Sequence, residues 1–421
     1  MTCYFPRVVC LALICATTSW NSGGVSAQAV RPEIISESQA HRHGLTRAWI
    51  TRVQLDPGRG RVVDVTLHEG TLISVTDQAA VQALDAESGR TLWITTVGRR
   101  DFTNTPVGAS ASYVCVCNGS TLYVLSRADG RLLFTRRMQG AASAAPAVSE
   151  ERVYVPTFAG AIESYAINPK NPNSTPATYR SRGTIEEAPV VAGDNLIWAT
   201  HRGGIYSASK KDLTARFRFM TRGEITAGLG YWPPTVFAAS ADGYIYAIDE
   251  KSGKRKWQFS TGYPAREMPV PLEGEVYAIS ELSGMYCLSA DKGAERWFTA
   301  DVAKFLAASA TRLYTADDTG RLMILDRRSG AHLERLSTEL LPIKVVNIQT
   351  DRIYLATTKG LIQCLREVEQ VTPLVHAIPA DPYATAAGTA TRAPRGEAPA
   401  AESAPATEAA ADDPFAAESE P

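Results

Sequence analysis

Cysteine is scarce in this chain, and its placement excludes a disulfide-stapled scaffold. Seven cysteines occur in 421 residues. Cys3, Cys10 and Cys15 lie at the extreme N-terminus, which leaves Cys115, Cys117, Cys287 and Cys364. Cys115 and Cys117 flank Val116 on one strand, a span that suits disulfide geometry poorly. Cys287 and Cys364 occupy positions where other stretches carry Ala166, Val124 or Ala247, so they read as small buried fillers. Histidine is scarce too. The six are His41, His43, His68, His201, His332 and His376, with no metal-ligand spacing beyond His41-x-His43. Neither sign of charge dominates: 43 Lys and Arg stand against 44 Asp and Glu, for a formal net charge of −1. That balance argues against a general nucleic-acid binder. Long apolar runs are absent. The longest early one, Val8 to Thr17, is too short to span a bilayer. No catalytic constellation stands out.

The two ends differ from the middle. Residues 1–29 read as a secretory signal peptide, with Arg7 as the early charge, then the apolar run, then Ala27-Gln28-Ala29 as a small-x-small cleavage site. Cys15 follows Ala12-Leu13-Ile14, and the bulky Ile14 fits a lipid-attachment box poorly. Residues 30–44 form a polar lead-in. Residues 374–421 are rich in Ala, Pro, Glu and Thr and end in an acidic run, Asp412 to Pro421. This composition predicts a disordered acidic tail. The export signal places the protein in the periplasm or cell envelope.

Between the ends, residues 45–373 are repetitive. The cleanest copy runs from Ser240 to Gly262. Asp242-Gly243 is a hairpin-turn dipeptide, Tyr244 to Asp249 a short strand, and Asp249-Glu250-Lys251-Ser252-Gly253 a second turn. Lys254 to Thr261 is another strand, anchored by Trp257. The small residue of the first turn recurs at Ala79, Gly119, Gly160, Gly204, Gly243, Gly284, Gly320 and Gly360. The spacing of about 40 residues is that of a four-stranded propeller blade. The outer-strand anchor recurs as Trp93, Phe134, Phe217, Trp257 and Trp297. The third copy replaces the tight second turn with Asn168 to Pro176, and the seventh has no aromatic anchor. Innermost strands are expected at Pro106-Val107, Pro146 to Val148, Pro189 to Val191, Pro234 to Val236, Pro269-Val270 and Pro342-Ile343, since Pro suits a strand start.

One outer strand is out of place. Leu45 to Leu55 matches Arg90 to Gly98 closely, with Trp49 in the position of Trp93, yet no blade precedes it. The last copy, ending at Leu361 to Leu365, has no fourth strand. The N-terminal strand therefore completes the final blade and removes a sheet edge. The expectation is an all-β fold: a single eight-bladed β-propeller of four-stranded blades closed by the N-terminal strand, monomeric.

The run DGYIYAIDEKSGKRKWQFSTG resembles the pyrroloquinoline-quinone-like (PQQ-like) propeller repeat, over roughly Trp49 to Thr372. That resemblance implies eight blades. It also raises two functional branches. Quinoprotein dehydrogenases of the class carry a disulfide ring of two adjacent cysteines, calcium ligands and an active-site aspartate. Here Val116 separates Cys115 from Cys117, no C-x-x-C-H haem site is present, and no calcium ligand set maps onto the chain. The other branch is non-catalytic and includes the BamB-like subunit of outer-membrane β-barrel assembly. The chain is similar to it in size, blade number and N-terminal closure, and departs from it in its N-terminal cysteines and its acidic tail.

The expected function is therefore a non-catalytic protein-interaction scaffold with protein partners in the envelope, no cofactor and no metal. The alternative is a PQQ- and calcium-dependent oxidoreductase, or a ligand-binding relic of one. Acidic turns such as Asp317-Asp318-Thr319-Gly320 recur by register and read as hairpin turns rather than calcium sites. The candidate binding face lies in the blade-connecting loops, where Arg99, Arg100, Arg222 and Arg266 recur and where Tyr231 and Trp232 supply aromatic area. Trp49, Trp93, Phe134, Phe217, Trp257 and Trp297 are assigned to packing between blades.

Overall fold

A computed structural model of the chain describes residues 34–56, 58–167 and 175–377. Residues 1–29, expected to be a signal peptide, the stretch 168–174 in the third repeat, and the tail from residue 378 lie outside the described residues. The repeat register becomes eight four-stranded antiparallel sheets arranged as a β-propeller. In the fifth blade the order is Gly230–Trp232, Thr235–Ser240, Tyr244–Asp249 and Arg255–Ser260, from the inside outward. The two middle strands are buried on both faces, with Thr235–Ser240 wholly inside. That is why they read as continuous Val, Ile, Ala and aromatic runs rather than as alternating ones.

The hydrophobic core sits between blades. Phe237, Ile245, Ala247 and Trp257 of the fifth blade pack with Val276, Ala278 and Leu288 of the sixth. A single blade cannot bury both of its faces, so the closed ring is the smallest unit that satisfies all of them. The outer-strand tryptophans pin each seam. The Trp257 indole N–H donates to the Ala290 carbonyl at 3.0 Å, in the next blade's second turn. Trp49, Trp93 and Trp297 do the same to Ala86, Arg127 and Arg327 at 3.0, 2.7 and 3.1 Å. Gly293 lies directly beneath the Trp257 ring, and a Cβ there would stand 2.5 Å from it. Gly293 also has φ +67°, so the turn glycine is required twice, by its backbone and by the neighbouring indole. Phe217 covers Gly253 in the same way. Phe134 is half-buried and lies beneath the Arg136 guanidinium, 4.7 Å from the ring centre.

The ring closes through the N-terminus. Leu45–Arg52 pairs antiparallel with Leu361–Glu367, and Trp49 stands opposite Cys364. The lead-in is more ordered than its polarity suggests. Glu37–Arg42 is a helix with a capping box at Ser36 and Gln39. Ile35 and Ala40 pack with Leu306, Tyr314 and Leu336. The seventh blade lacks an aromatic anchor, and this helix fills that seam instead.

Three further details differ from the sequence expectation. Pro234-Thr235-Val236 opens the second strand of its blade, and the innermost strand is Gly230–Trp232. In the fourth blade the turn residue with positive φ is Gly203 (φ +76°), one residue before Gly204. At the C-terminal side, packed structure continues past residue 373. Leu374 donates its amide to Asp351 at 3.0 Å, and His376 is 3% exposed.

Candidate functional surface

The propeller has two unlike sides. One carries the turns between second and third strands together with the blade-connecting links. The other carries the remaining two sets of hairpins. Arg99 and Arg100 follow the outer strand Thr91–Thr96, Arg222 follows Ala215–Met220, and Arg266 follows Arg255–Ser260. All four are therefore on the link side, and all four are exposed. Tyr231 and Trp232 are not with them. They end the innermost strand Gly230–Trp232, next to the Pro233-Pro234 hairpin on the opposite side. The Tyr231 hydroxyl bonds Glu250, in the opposite-side turn, at 2.7 Å. The misplacement follows from the Pro234 register: the Pro234 segment is the second strand, the innermost strand lies one strand earlier, and the supposed loop aromatics become strand residues.

The link-side arginines are held by local partners. Arg99 pairs with Asp101 and lies over the Phe102 ring, 5.3 Å from its centre. Asn118, buried beneath, donates its amide to the Arg99 and Phe102 carbonyls at 3.0 and 3.1 Å and so shapes this link. The Arg222 backbone amide donates to Asp242 at 3.0 Å. Arg266 pairs with Glu281 at 3.0 Å. Asn118 was not singled out from sequence, because nothing in the repeat marks it as more than a strand end.

Exposed apolar side chains favour the same side. Phe102, Phe158, Tyr263, Leu282 and Leu340 are all 45% exposed or more, and each belongs to a blade-connecting link or a turn between second and third strands. The large exposed apolar residues elsewhere, among those described, lie on outer strands, at Val63 of an inner strand, or in the C-terminal segment at Val368, Val371 and Val375. A cleft of about 730 Å³ opens on the link side between the sixth and seventh blades. Its floor includes Ile279 and Val302, and its walls carry Arg266, Glu281, Asp317 and Arg321.

The titratable groups on this side act mainly as structure. Asp317 accepts from the Thr319 hydroxyl, the Arg321 amide and the Arg321 guanidinium at 2.7, 2.9 and 2.8 Å. Its lone pairs are engaged in closing the turn, in keeping with a hairpin role. On the opposite side, Asp326 is held below the usual carboxylate range by the Ser329 hydroxyl and amide, and Asp249 makes the same two bonds with Ser252. In the link before the fourth blade, partial loss of water pushes the carboxyl of Glu187 up, with Glu186 and Glu267 adding to the rise. The four described cysteines are free and buried. Burial pushes the Cys117 and Cys287 thiols up to about 12. No group of three or more His, Cys, Asp or Glu side chains suited to a metal ion occurs among the described residues.

Fold and surface together define a closed eight-bladed propeller of the PQQ-like type, with one side richer in exposed arginine and apolar area. The family model described as outer membrane protein assembly factor BamB matches residues 76–212 and 178–335, more than half of the chain. The chain belongs to this family. An outer membrane protein assembly factor BamB from Yersinia pestis is 23% identical over 294 residues, covering 61% of this chain and 71% of the relative. The crystal structure of BamB from Moraxella catarrhalis superposes with a TM-score of 0.62 at 16% identity, covering 76% of this chain and 97% of that one. A computationally designed protein, Ika8, superposes at 0.58 and 14% identity, covering 72% and 96%. At these identities the two structures speak to the fold.

Proposed function

We propose that the chain is a non-catalytic interaction scaffold of the bacterial envelope, which binds protein partners through its link side and uses no redox cofactor. The observation that carries this reading is the one-sided distribution of Phe102, Phe158, Tyr263, Leu282 and Leu340 beside Arg99, Arg100, Arg222 and Arg266. Aromatic and arginine side chains are enriched in protein–protein interfaces. Family membership supports it, since the Yersinia pestis relative is named an assembly factor. The export signal and the absence of adjacent cysteines in the sequence after residue 29 point the same way.

The test is capture from envelope extract by the full chain, compared with the double variant Arg99→Glu/Arg222→Glu. Both substitutions are at exposed positions, where charge contributes little to stability. Capture of the wild type's specific partners should fall at least about tenfold, with an unchanged melt. Equal capture at equal stability rejects the link side as the binding surface. Steady dye reduction by the purified chain with added PQQ and calcium would reject the non-catalytic part of the reading.

A further inference from the structure

Resting on the interaction reading above, we propose that the cleft between the sixth and seventh blades receives an extended segment of a partner protein, in which a basic side chain stands beside apolar ones. Leu282 carries the first half of the inference. It sits in the turn between Glu275–Ser280 and Gly284–Ser289 with φ +63° and is 92% exposed. Left-handed backbone favours Gly, Asn or Asp, and Leu is strained there. Full exposure of a large aliphatic side chain gains nothing for folding. Two local preferences are therefore broken at one residue, on the rim of this cleft. Such conflicts concentrate where function has overridden foldability.

The charges carry the second half. Three arginines enter the cleft, and each is met by a carboxylate of the protein: Arg266 by Glu281 at 3.0 Å, Arg321 by Asp317 at 2.8 Å and Arg335 by Asp301 at 3.8 Å. Asp318 and Glu267 also line it outside these three pairs, and the Lys304 charge acts on Glu267. Five carboxylates face three arginines in the lining, Lys304 offsets Glu267, and Asp318 is left as the negative surplus, while the floor, Ile279 and Val302, is apolar. A cation beside apolar groups complements both features at once. A volume of about 730 Å³ accommodates a few side chains. Leu282 stands outside the floor, so an occupant that touches both must extend over the rim, as a peptide does.

Fluorescence anisotropy on the full chain tests this with a labelled peptide of alternating Leu and Lys. Leu/Glu and Ser/Lys peptides of equal length serve as comparators. The Leu/Lys peptide should bind saturably and weaken as salt rises. Leu282→Asn and Asp318→Lys should each weaken it at least about tenfold. Asn visits left-handed backbone more readily than Leu and adds no charge, so Leu282→Asn leaves the fold intact, which a thermal melt checks. The Arg99→Glu/Arg222→Glu variant should bind the peptide as wild type does. Indifference to Leu282→Asn and Asp318→Lys, or a Ser/Lys peptide as tight as Leu/Lys, overturns the proposal. Complete displacement by hexylamine reassigns the cleft to small cationic amphiphiles and overturns it as well. If the peptide fails to bind while envelope capture still depends on Arg99 and Arg222, the cleft alone is refuted and the interaction reading stands.

Discussion

Arg352 and Glu87 are 265 positions apart in sequence and lie 2.7 Å apart, Nη2 to Oε1, across the seam between the last blade and the first. Arg352 is fully buried and also donates to Asp351 at 3.2 Å and to the carbonyls of Gln370 and Val371 at 3.2 and 2.7 Å. The same seam carries the Trp49 indole bonded to Ala86. Ring closure thus joins a paired strand, an indole and one arginine that ties the C-terminal segment down. Replacing Arg352 by Leu would leave Asp351 buried without its counter-charge and two carbonyls without a donor. The expected loss is about 3–5 kcal/mol, read by urea denaturation. A loss under about 1 kcal/mol would mean that water replaces the guanidinium.

The indole seams make a second prediction. Trp257→Ala removes a side chain that is 8% exposed and should cost about 3–5 kcal/mol. Gly293→Ala should also destabilise, by more than about 1 kcal/mol, because the new methyl group meets both a left-handed backbone and the indole. If Gly293→Ala were neutral in the wild type, the tight Trp257–Gly293 contact would be wrong. In a Trp257→Ala background the cost of Gly293→Ala should shrink, since the two residues act on one contact.

Removal of the chain before Asp56 deletes the strand Leu45–Arg52 and the helix Glu37–Arg42. The edge of Leu361–Glu367 then stands unpaired, and the apolar surface under Ile35 and Ala40 is uncovered. Such a chain should melt earlier and associate. Light scattering and calorimetry that show a monomer with an unchanged melting temperature would contradict closure through this strand.

Lys344 gives a pH prediction. It is 7% exposed and donates to the Leu341 carbonyl at 2.8 Å. Burial, with Lys304 adding to it, lowers its pKa from 10.5 to about 8. Between those values the unfolded chain binds more proton than the folded one, so this group makes stability rise with pH from about 8 to 10.5. Relative to Lys344→Met, the wild type should gain stability across that window and hold a constant offset below it. Parallel stability curves for the two proteins from pH 7 to 10 would show that the ammonium is solvated in the fold.

Much of the architecture was legible in the chain itself. The turn glycines every 40 residues or so, the Asp-Ser-Gly second turns and the recurring tryptophans record local rules: a left-handed turn residue, a side-chain cap, a bulky group on an outer strand. The likeness of Trp49 to Trp93 made ring closure readable, because a repeat strand without a blade has one vacancy to fill. The sequence determined the repeat, the blade number and the direction of closure. It did not determine the Tyr231 and Trp232 position, since a one-strand shift between two Pro-marked segments costs nothing in local pattern. Only the tertiary structure put the two aromatics on the side away from the arginines, placed a helix over the blade that lacks an anchor, and brought Arg352 to Glu87. Those outcomes depend on which surfaces are left open once the ring has closed, and no stretch of sequence carries that by itself.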